Sequence, residues 1–210
     1  MIIGLTGKAG AGKNLCASII QYLVWKDRVE KNINNSIHYS IEDFIKNKEL
    51  GYILSKWKVV GFADKLKDII SIITGCKRNA LDDQKFKSTP LKNWNYTPRE
   101  LLQYIGTELF RNQFNKNVWV NALMNDYDIS KNWLISDVRF PNELEAIKDR
   151  GGITIRVSRN DKIYFDITQH ESETALDTDY FDYTVENNKT VDDLINKVKE
   201  ILIKENIIWY

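Results

Sequence analysis

This 210-residue sequence has few cysteines, almost no net charge and no long apolar run. Its 2 cysteines, Cys16 and Cys76, are too few for a disulfide framework and indicate a reducing compartment. Lysine and arginine total 30 against 29 acids, so a net charge of +1 carries no nucleic-acid or membrane signature. The apolar cluster at 69–73 is far too short to cross a bilayer, and the amino terminus lacks the basic start of a signal peptide. We expect a cytoplasmic protein that binds neither nucleic acid nor membranes.

Short β-like runs alternate with helical patterns along the chain. The candidate strands are the apolar runs at 2–6, 59–63, 133–136, 153–157 and 183–185. Apolar strands separated by helices are typical of a parallel sheet covered on both faces. Capping signals at Thr97, Pro141 and Thr190 mark the starts of three helices. The sequence predicts one α/β domain over residues 1–210 with a parallel five-stranded sheet.

Two polar stretches interrupt this alternation. Residues 27–58 read as a partly helical insert after the first helix, and residues 77–96 read as a mobile loop. Long loops in compact domains are usually either functional or disordered. The sequence leaves both alternatives open for these two stretches.

A glycine-rich turn after the first strand matches the pattern G-x-x-x-x-G-K. It follows an apolar run and precedes a helical segment, as a phosphate-binding loop must. Glycines let successive backbone N–H groups face one anion, and the following helix adds its dipole. The predicted ATP phosphate-binding residues are Gly7, Ala9, Gly10, Ala11, Gly12, Lys13 and Asn14. The alternative is an ordinary strand-to-helix turn with an incidental lysine.

Asn14 departs from the phosphate-loop pattern, which usually has serine or threonine as a magnesium ligand at this position. An amide oxygen also ligates hard cations, so Asn14 can replace the hydroxyl directly or through water. Alternatively, the metal is held mainly by Asp137 and the phosphates. Asn14 and Asp137 are therefore the predicted metal residues.

Asp137 ends the third apolar run, where a carboxylate at the carboxyl edge of the sheet would face the phosphate loop. The alternative is a helix-capping or surface aspartate. Arg139 follows two residues later, and its guanidinium suits a site where phosphate charge is neutralised.

Four segments together resemble the phage-type deoxynucleoside monophosphate kinases. Beside the phosphate loop, they are 62–67 (FADKLK), 99–108 (RELLQYIGTE), 137–143 (DVRFPNE) and 170–173 (HESE). They occur in the expected order over nearly the whole chain. The resemblance implies a three-layer P-loop fold and phosphorylation of a deoxynucleoside monophosphate (dNMP) to the diphosphate, with ATP and Mg²⁺. If the chain is phage-encoded, it would act in the host cytoplasm.

The segment 77–125 is the expected substrate-binding region. At 100° per residue, Arg99, Gln103 and Arg111 follow one polar stripe opposite an apolar one. Spacing alone favours a solvated face, whereas the resemblance favours phosphate contacts by the arginines and base recognition by Gln103. Asp64 has two readings, a contact to the sugar hydroxyl or a helix cap.

A lid-like segment is expected at 159–172. Arg159 is the better candidate to close over the phosphates, whereas Arg156 is equally suited to a structural ion pair. Lys13, Arg139 and Arg159 are therefore the predicted catalytic residues. No role is assigned to His170, and Ser172 is expected to cap a short helix.

Other functions stay open at this point. A phosphomevalonate or nucleoside kinase would use the same fold, although a hydroxyl acceptor would need an aspartate base. A non-catalytic nucleotide-binding switch is the alternative from another class, and Asn14 is the feature that favours it. The oligomeric state is undetermined, with a homodimer among the options.

Overall fold

A single parallel sheet forms the centre of the molecule in the computed structural model, which describes residues 1–30, 39–160, 170–177 and 180–209. Its strand order is β2-β3-β1-β4-β5. The strands are β1 Ile2–Thr6, β2 Trp57–Val60, β3 Asn132–Val138, β4 Ile153–Ser158 and β5 Tyr183–Glu186. All four neighbouring pairs are parallel, so the predicted five-stranded α/β fold is confirmed.

Helices connect the strands, and several are short. The α-helices are α1 Lys13–Glu30, α2 Ile41–Lys46, α3 Lys48–Ser55, α4 Asp64–Thr74, α5 Gln84–Lys87, α6 Pro98–Gln103, α7 Val118–Met124, α8 Pro141–Lys148, α9 Glu171–Thr174 and α10 Val191–Lys204. A 3₁₀-helix spans Arg78–Asp82, and a π-helix spans Tyr104–Phe114 directly after α6. Among these described helices, none combines the length and apolar character needed to span a membrane.

Two apolar clusters cover the two faces of the sheet. Because side chains alternate along a strand, Ile2 of β1 packs with the helices α4, α6, α7 and α8, whereas Ile3 and Leu5 pack with α1 and α10. The strand β1 is buried throughout, as expected for a central parallel strand. The result is three layers, with the carboxyl ends of the strands open for a site.

The structure corrects the predictions for the second strand and for the polar stretch at 77–96. The second strand ends at Val60 rather than at 63, because Gly61 to Ala63 turn toward α4. The stretch 77–96 is not simply a loop, because it holds the 3₁₀-helix and α5. Asp83 caps α5 by accepting a hydrogen bond from Phe86 N at 2.6 Å, and the Phe86 ring packs on the core.

The capping signals are confirmed at two helices. The Thr97 hydroxyl accepts a bond from Glu100 N, and the Glu100 carboxylate accepts one from Thr97 N at 2.7 Å. Thr190 accepts a bond from Asp193 N at the start of α10. The third helix, α8, begins at the predicted Pro141.

The polar stripe predicted at 100° per residue does not continue beyond Gln103, because the chain forms a wider π-helix there. A π-helix turns through a smaller angle per residue than an α-helix, since its hydrogen bonds run between residues i and i+5. At the point of widening, Gly106 packs against Leu66, where an added Cβ would lie 2.5 Å from the nearer Leu66 methyl. Arg111 consequently turns inward and is only 7% exposed, rather than lying on a solvated face.

Candidate active site

A cavity of about 630 Å³ lies at the carboxyl ends of β1, β2 and β3. The glycine-rich turn before α1 forms one wall, α4 and α5 form another, and α6 with the π-helix forms a third. Helix α3 of the 27–58 insert also borders it through Lys48, Glu49 and Tyr52. Ligands of open parallel sheets bind at this edge. The insert thus borders the candidate site, although residues 31–38 lie outside the described part of the chain.

The glycine-rich turn adopts a conformation that other residues disfavour. Gly7, Gly10 and Gly12 have φ angles of 138°, 78° and 103°. A Cβ atom on Gly7 would lie 2.1 Å from the Val157 carbonyl oxygen, and one on Gly12 would lie 2.4 Å from Asn187 Nδ2. These glycines therefore allow both the left-handed turns and the close approach of the neighbouring chain.

Lys13 lies at the start of α1 with its ammonium folded back over the turn. It donates hydrogen bonds to the carbonyls of Gly7 at 2.5 Å and Lys8 at 3.0 Å. Burial lowers the pKa of Lys13 to about 8, and the nearby Arg139 charge adds to this effect. Glu173 and Asp137 act in the opposite direction. A cation held by neutral carbonyls alone is well placed to accept an anionic ligand.

Asp137 lies near the carboxyl end of β3 and borders the same cavity as Lys13. Its carboxylate accepts hydrogen bonds from the backbone N–H groups of Phe62 at 2.8 Å and Ala63 at 3.1 Å. Gly61 leaves room for it, since a Cβ there would lie 2.6 Å from Asp137 Oδ2. The turn after β2 therefore orients this carboxylate.

Glu173 at α9 is a site residue that the sequence reasoning missed. Its side chain, 7% exposed, pairs with Arg139 and accepts a hydrogen bond from Ala9 N at 3.3 Å. Arg139 also donates to the carbonyl of Ser172 at 3.0 Å. The motif HESE marked this segment as part of the family resemblance. Its contact with the glycine-rich turn could not be predicted from local sequence, because the two segments are more than 160 residues apart.

Arg111 and Glu143 form a buried ion pair beside the cavity. Their Nη2 and Oε1 atoms are 2.7 Å apart, and both side chains are at most 6% exposed. The guanidinium also lies over the Phe140 ring, 3.8 Å from its centroid. Burial raises the pKa of Glu143 to about 7, although Arg111 opposes this shift. Arg111 was predicted to contact the substrate, and the structure shows that it also pairs with a buried carboxylate of the protein.

The other predicted substrate residues also border the cavity. Arg99 donates to Gln84 Oε1 at 2.9 Å, and Gln103 lies one turn further along α6. Asp64 accepts a bond from Gly61 N at 2.7 Å and pairs with Arg78 at 2.9 Å. Burial raises the pKa of Asp64, and the Asp137 charge adds to this. The structure brings these side chains to one cavity, and their contacts with a ligand stay predictions.

The expected lid falls mostly outside the described residues, because the structure describes neither 161–169 nor 178–179. Arg159 is described and exposed just after β4. Arg156 forms an ion pair with Asp177 at 3.5 Å, which agrees with its structural alternative. The expected Ser172 cap is wrong, because His170 occupies the cap position of α9 and its Nδ1 accepts from Ser172 N at 3.1 Å.

Asp137 and Asn14, the two residues predicted to hold a magnesium ion, both border the cavity. No cluster of three or more carboxylate, histidine or cysteine ligands occurs within the described ranges. Mg²⁺ is commonly held by one or two protein oxygens together with substrate phosphates and water. These residues therefore fit an ion that arrives with a nucleotide.

Comparison with known proteins relates this geometry to a family. A family model described as "Deoxynucleotide monophosphate kinase" matches residues 68–198. An Acanthamoeba polyphaga mimivirus protein, provisionally named a deoxynucleotide monophosphate kinase, is 32% identical over 94% of both chains. The deoxynucleoside-5'-monophosphate kinase of Escherichia phage T5 is 23% identical over 89% of both. The enzyme of Enterobacteria phage T4 is 28% identical over 51% of this chain and 46% of its own. The resemblance found in the sequence is confirmed, and the chain belongs to the deoxynucleotide monophosphate kinase family.

Proposed function

We propose that this protein transfers the terminal phosphoryl group of ATP to a dNMP, forming the diphosphate by direct in-line displacement. Besides family membership, one structural observation supports this proposal. The glycine-rich turn with Lys13 and the cationic side chains of α5 and α6, Lys87 and Arg99, all border one cavity. Such a cavity holds a donor and an acceptor phosphate side by side, which is the arrangement that phosphoryl transfer needs.

The donor phosphates bind to the turn at residues 7–14. Its backbone N–H groups and the amino end of α1 supply partial positive charge, and the Lys13 ammonium supplies a full one. In the described structure this ammonium bonds only to the carbonyls of Gly7 and Lys8. When ATP binds, the ammonium would leave these neutral carbonyl acceptors and donate to phosphate oxygens. Hydrogen bonds to charged acceptors are stronger, which favours this change.

Arg139 and Arg159 are proposed to stabilise charge on the transferring group. Arg139 borders the cavity beside Lys13, and its pairing with Glu173 holds it there. Arg159 follows β4 at the start of the proposed lid segment 159–172. Preorganised cations lower the barrier because charge develops on the equatorial oxygens during transfer. Covering the site also limits attack by water.

Asp137 and Asn14 would hold Mg²⁺ when a nucleotide is bound. When bound there, the ion would supply positive charge that neutralises the charge developing on the donor phosphates. The backbone N–H groups of Phe62 and Ala63 hold the Asp137 carboxylate in place. Asn14 is neutral, so Asp137 contributes the charge of this donor set.

The acceptor is proposed to lie against the segment 77–125. Arg99 is proposed to bind its phosphate, Gln103 its base and Asp64 its sugar, whereas Arg111 borders this subsite from its buried pair with Glu143. An already anionic acceptor needs no strong general base, so none is assigned. With both cysteines free, we also propose a reducing, cytoplasmic location for the single domain 1–210.

An acceptor screen tests the function. ADP formation is measured with ATP and Mg²⁺ in the presence of each of the four dNMPs, the ribonucleotides and the deoxynucleosides. Turnover that depends on a dNMP is expected. Turnover with a deoxynucleoside instead would favour a nucleoside kinase, and nucleotide binding without any acceptor-dependent turnover would favour a switch.

A further inference from the structure

Lys87 ends the short helix α5 and points its side chain to the cavity. The helix is anchored on both sides, by the Asp83 cap and by the Phe86 ring in the core. This anchoring fixes where the Lys87 backbone lies. The neighbouring Lys85, in contrast, is exposed and does not border the cavity.

Among the described residues, Lys87 has no counterpart to the partners that the surrounding cations have. Lys67 pairs with Asp82 at 2.8 Å, and Arg99 donates to Gln84 at 2.9 Å. Arg139 pairs with Glu173. Across residues 1–30, 39–160, 170–177 and 180–209, the Lys87 ammonium has neither a hydrogen-bond acceptor within reach nor a carboxylate within 4.0 Å.

Several positive charges act on the Lys87 ammonium. Burial lowers the pKa of Lys87 to about 8, and Lys67, Arg99 and Arg139 lower it further, whereas Asp82 opposes them. Lys87 in turn lowers the pKa of Lys13, so it also acts across the cavity on the donor side. A partly buried cation among cations is unfavourable unless an anion binds between them.

We propose that Lys87 binds the phosphate group of the acceptor dNMP. The inference rests on the proposed function and adds a residue that the sequence pattern did not indicate. An acceptor phosphate bound by Lys87 and Arg99 would share the cavity with Lys13, where the donor phosphate is expected. Lys87 then serves two purposes, binding the acceptor dianion and screening its repulsion from ATP.

The variant Lys87→Met keeps the side-chain length and removes the charge, and Lys85→Met on the same helix is the matched control. Losing one charge-assisted hydrogen bond should raise the KM for the dNMP by about 10- to 100-fold. The KM for ATP should change less than about twofold. Calorimetry without ATP should show weaker dNMP binding to Lys87→Met, with unchanged binding of the matching deoxynucleoside. Lys85→Met should match wild type in every assay.

The pH dependence offers a second test that does not require Lys87→Met to fold. At saturating ATP, where donor phosphate covers Lys13, wild-type kcat/KM for the dNMP should fall at alkaline pH, because burial and the neighbouring cations lower the pKa of Lys87 and it loses its proton there. The acceptor phosphate, whose second pKa is about 6, is already a dianion there. Lys87→Arg should remove this fall, because arginine stays charged.

The outcomes separate the inference from the function on which it rests. If wild type phosphorylates dNMPs but Lys87→Met behaves like Lys85→Met, the assignment of Lys87 is wrong and the kinase function stands. A raised KM for ATP alone would place Lys87 on the donor and overturn the assignment. If wild type neither binds nor phosphorylates any dNMP, both proposals fail.

Discussion

At the scale of single residues, the charge state of Lys13 depends on its neighbours. Burial and Arg139 favour its neutral form, and Glu173 is the largest influence that favours the charged form. Glu173 also pairs with Arg139, so one carboxylate balances two cations at the phosphate loop. Replacing it therefore changes the electrostatics of the loop in a direction that can be stated in advance.

Glu173→Gln should shift the alkaline fall of kcat/KM for ATP to lower pH. Removing the carboxylate charge lowers the pKa of Lys13 below its present value of about 8, so the ammonium is lost earlier as pH rises. The measurement is kcat/KM for ATP between about pH 6.5 and 9.5. Glu171→Gln, exposed on the same helix, is the control. An unchanged or upward-shifted profile would contradict the charge balance.

Lys13→Ala should abolish phosphoryl transfer while leaving the fold intact. Its half-buried side chain bonds to two carbonyls of the turn and belongs to neither apolar cluster, so its loss removes little packing but deletes the charge nearest the donor phosphates. Steady-state turnover and circular dichroism report the two properties separately. A fully active variant would refute the proposed site.

At the scale of elements, the turn between β1 and α1 is shaped by steric contact with β4. Gly7 has a φ of 138° and lies against the Val157 carbonyl, so both its conformation and its surroundings exclude a side chain. Gly75, which ends α4, has a φ of 72° but nothing within 4 Å of an added Cβ. A side chain at Gly75 would cause only backbone strain, whereas a side chain at Gly7 would cause both backbone strain and a steric clash.

Gly75→Ala should lower the free energy of unfolding by about 1–2 kcal/mol, through left-handed strain alone. Gly7→Ala should cost about 1–3 kcal/mol more, because the added methyl group also displaces the β4 backbone. Urea denaturation measures both, and calorimetry with ATP should show binding lost only in Gly7→Ala. Equal destabilisation by the two substitutions would argue against the packed loop.

At the scale of the whole molecule, the Arg111–Glu143 pair ties the substrate segment to the sheet. Arg111 comes from the π-helix, whereas Glu143 comes from α8 and also accepts bonds from the N–H groups of Arg139 and Phe140. The pair joins the proposed acceptor wall to the turn after β3. Its disruption should therefore affect stability and site geometry together.

Glu143→Ala should lower the free energy of unfolding by about 3–5 kcal/mol, because it leaves the buried Arg111 charge without its partner. Urea denaturation gives the value. Lys65→Ala breaks the exposed pair with Asp126 and should leave the midpoint nearly unchanged. Similar losses in the two variants would show that the buried pair does not join these elements.

Local patterns in the sequence accounted for much of the site. The phosphate loop, the acid after the third strand and the caps at Thr97 and Thr190 were all recognisable, because each depends on residues adjacent in the chain. Boundaries were less reliable. The second strand was displaced toward Ala63 because apolar residues continue past Val60 into the turn that holds Asp137.

The sequence by itself determined the alternation of strands and helices, the glycine-rich turn and the family, since these follow from short-range patterns and ordered motifs. Only the tertiary structure decided that Glu173 contacts the loop, that Arg111 is buried against Glu143 and that Lys87 borders the cavity with no carboxylate partner among the described residues. The physical reason is that burial and charge pairing depend on which distant segments meet. A widened helix turn near residue 106 or a short α5 moves a side chain from solvent to the site without altering the local sequence pattern.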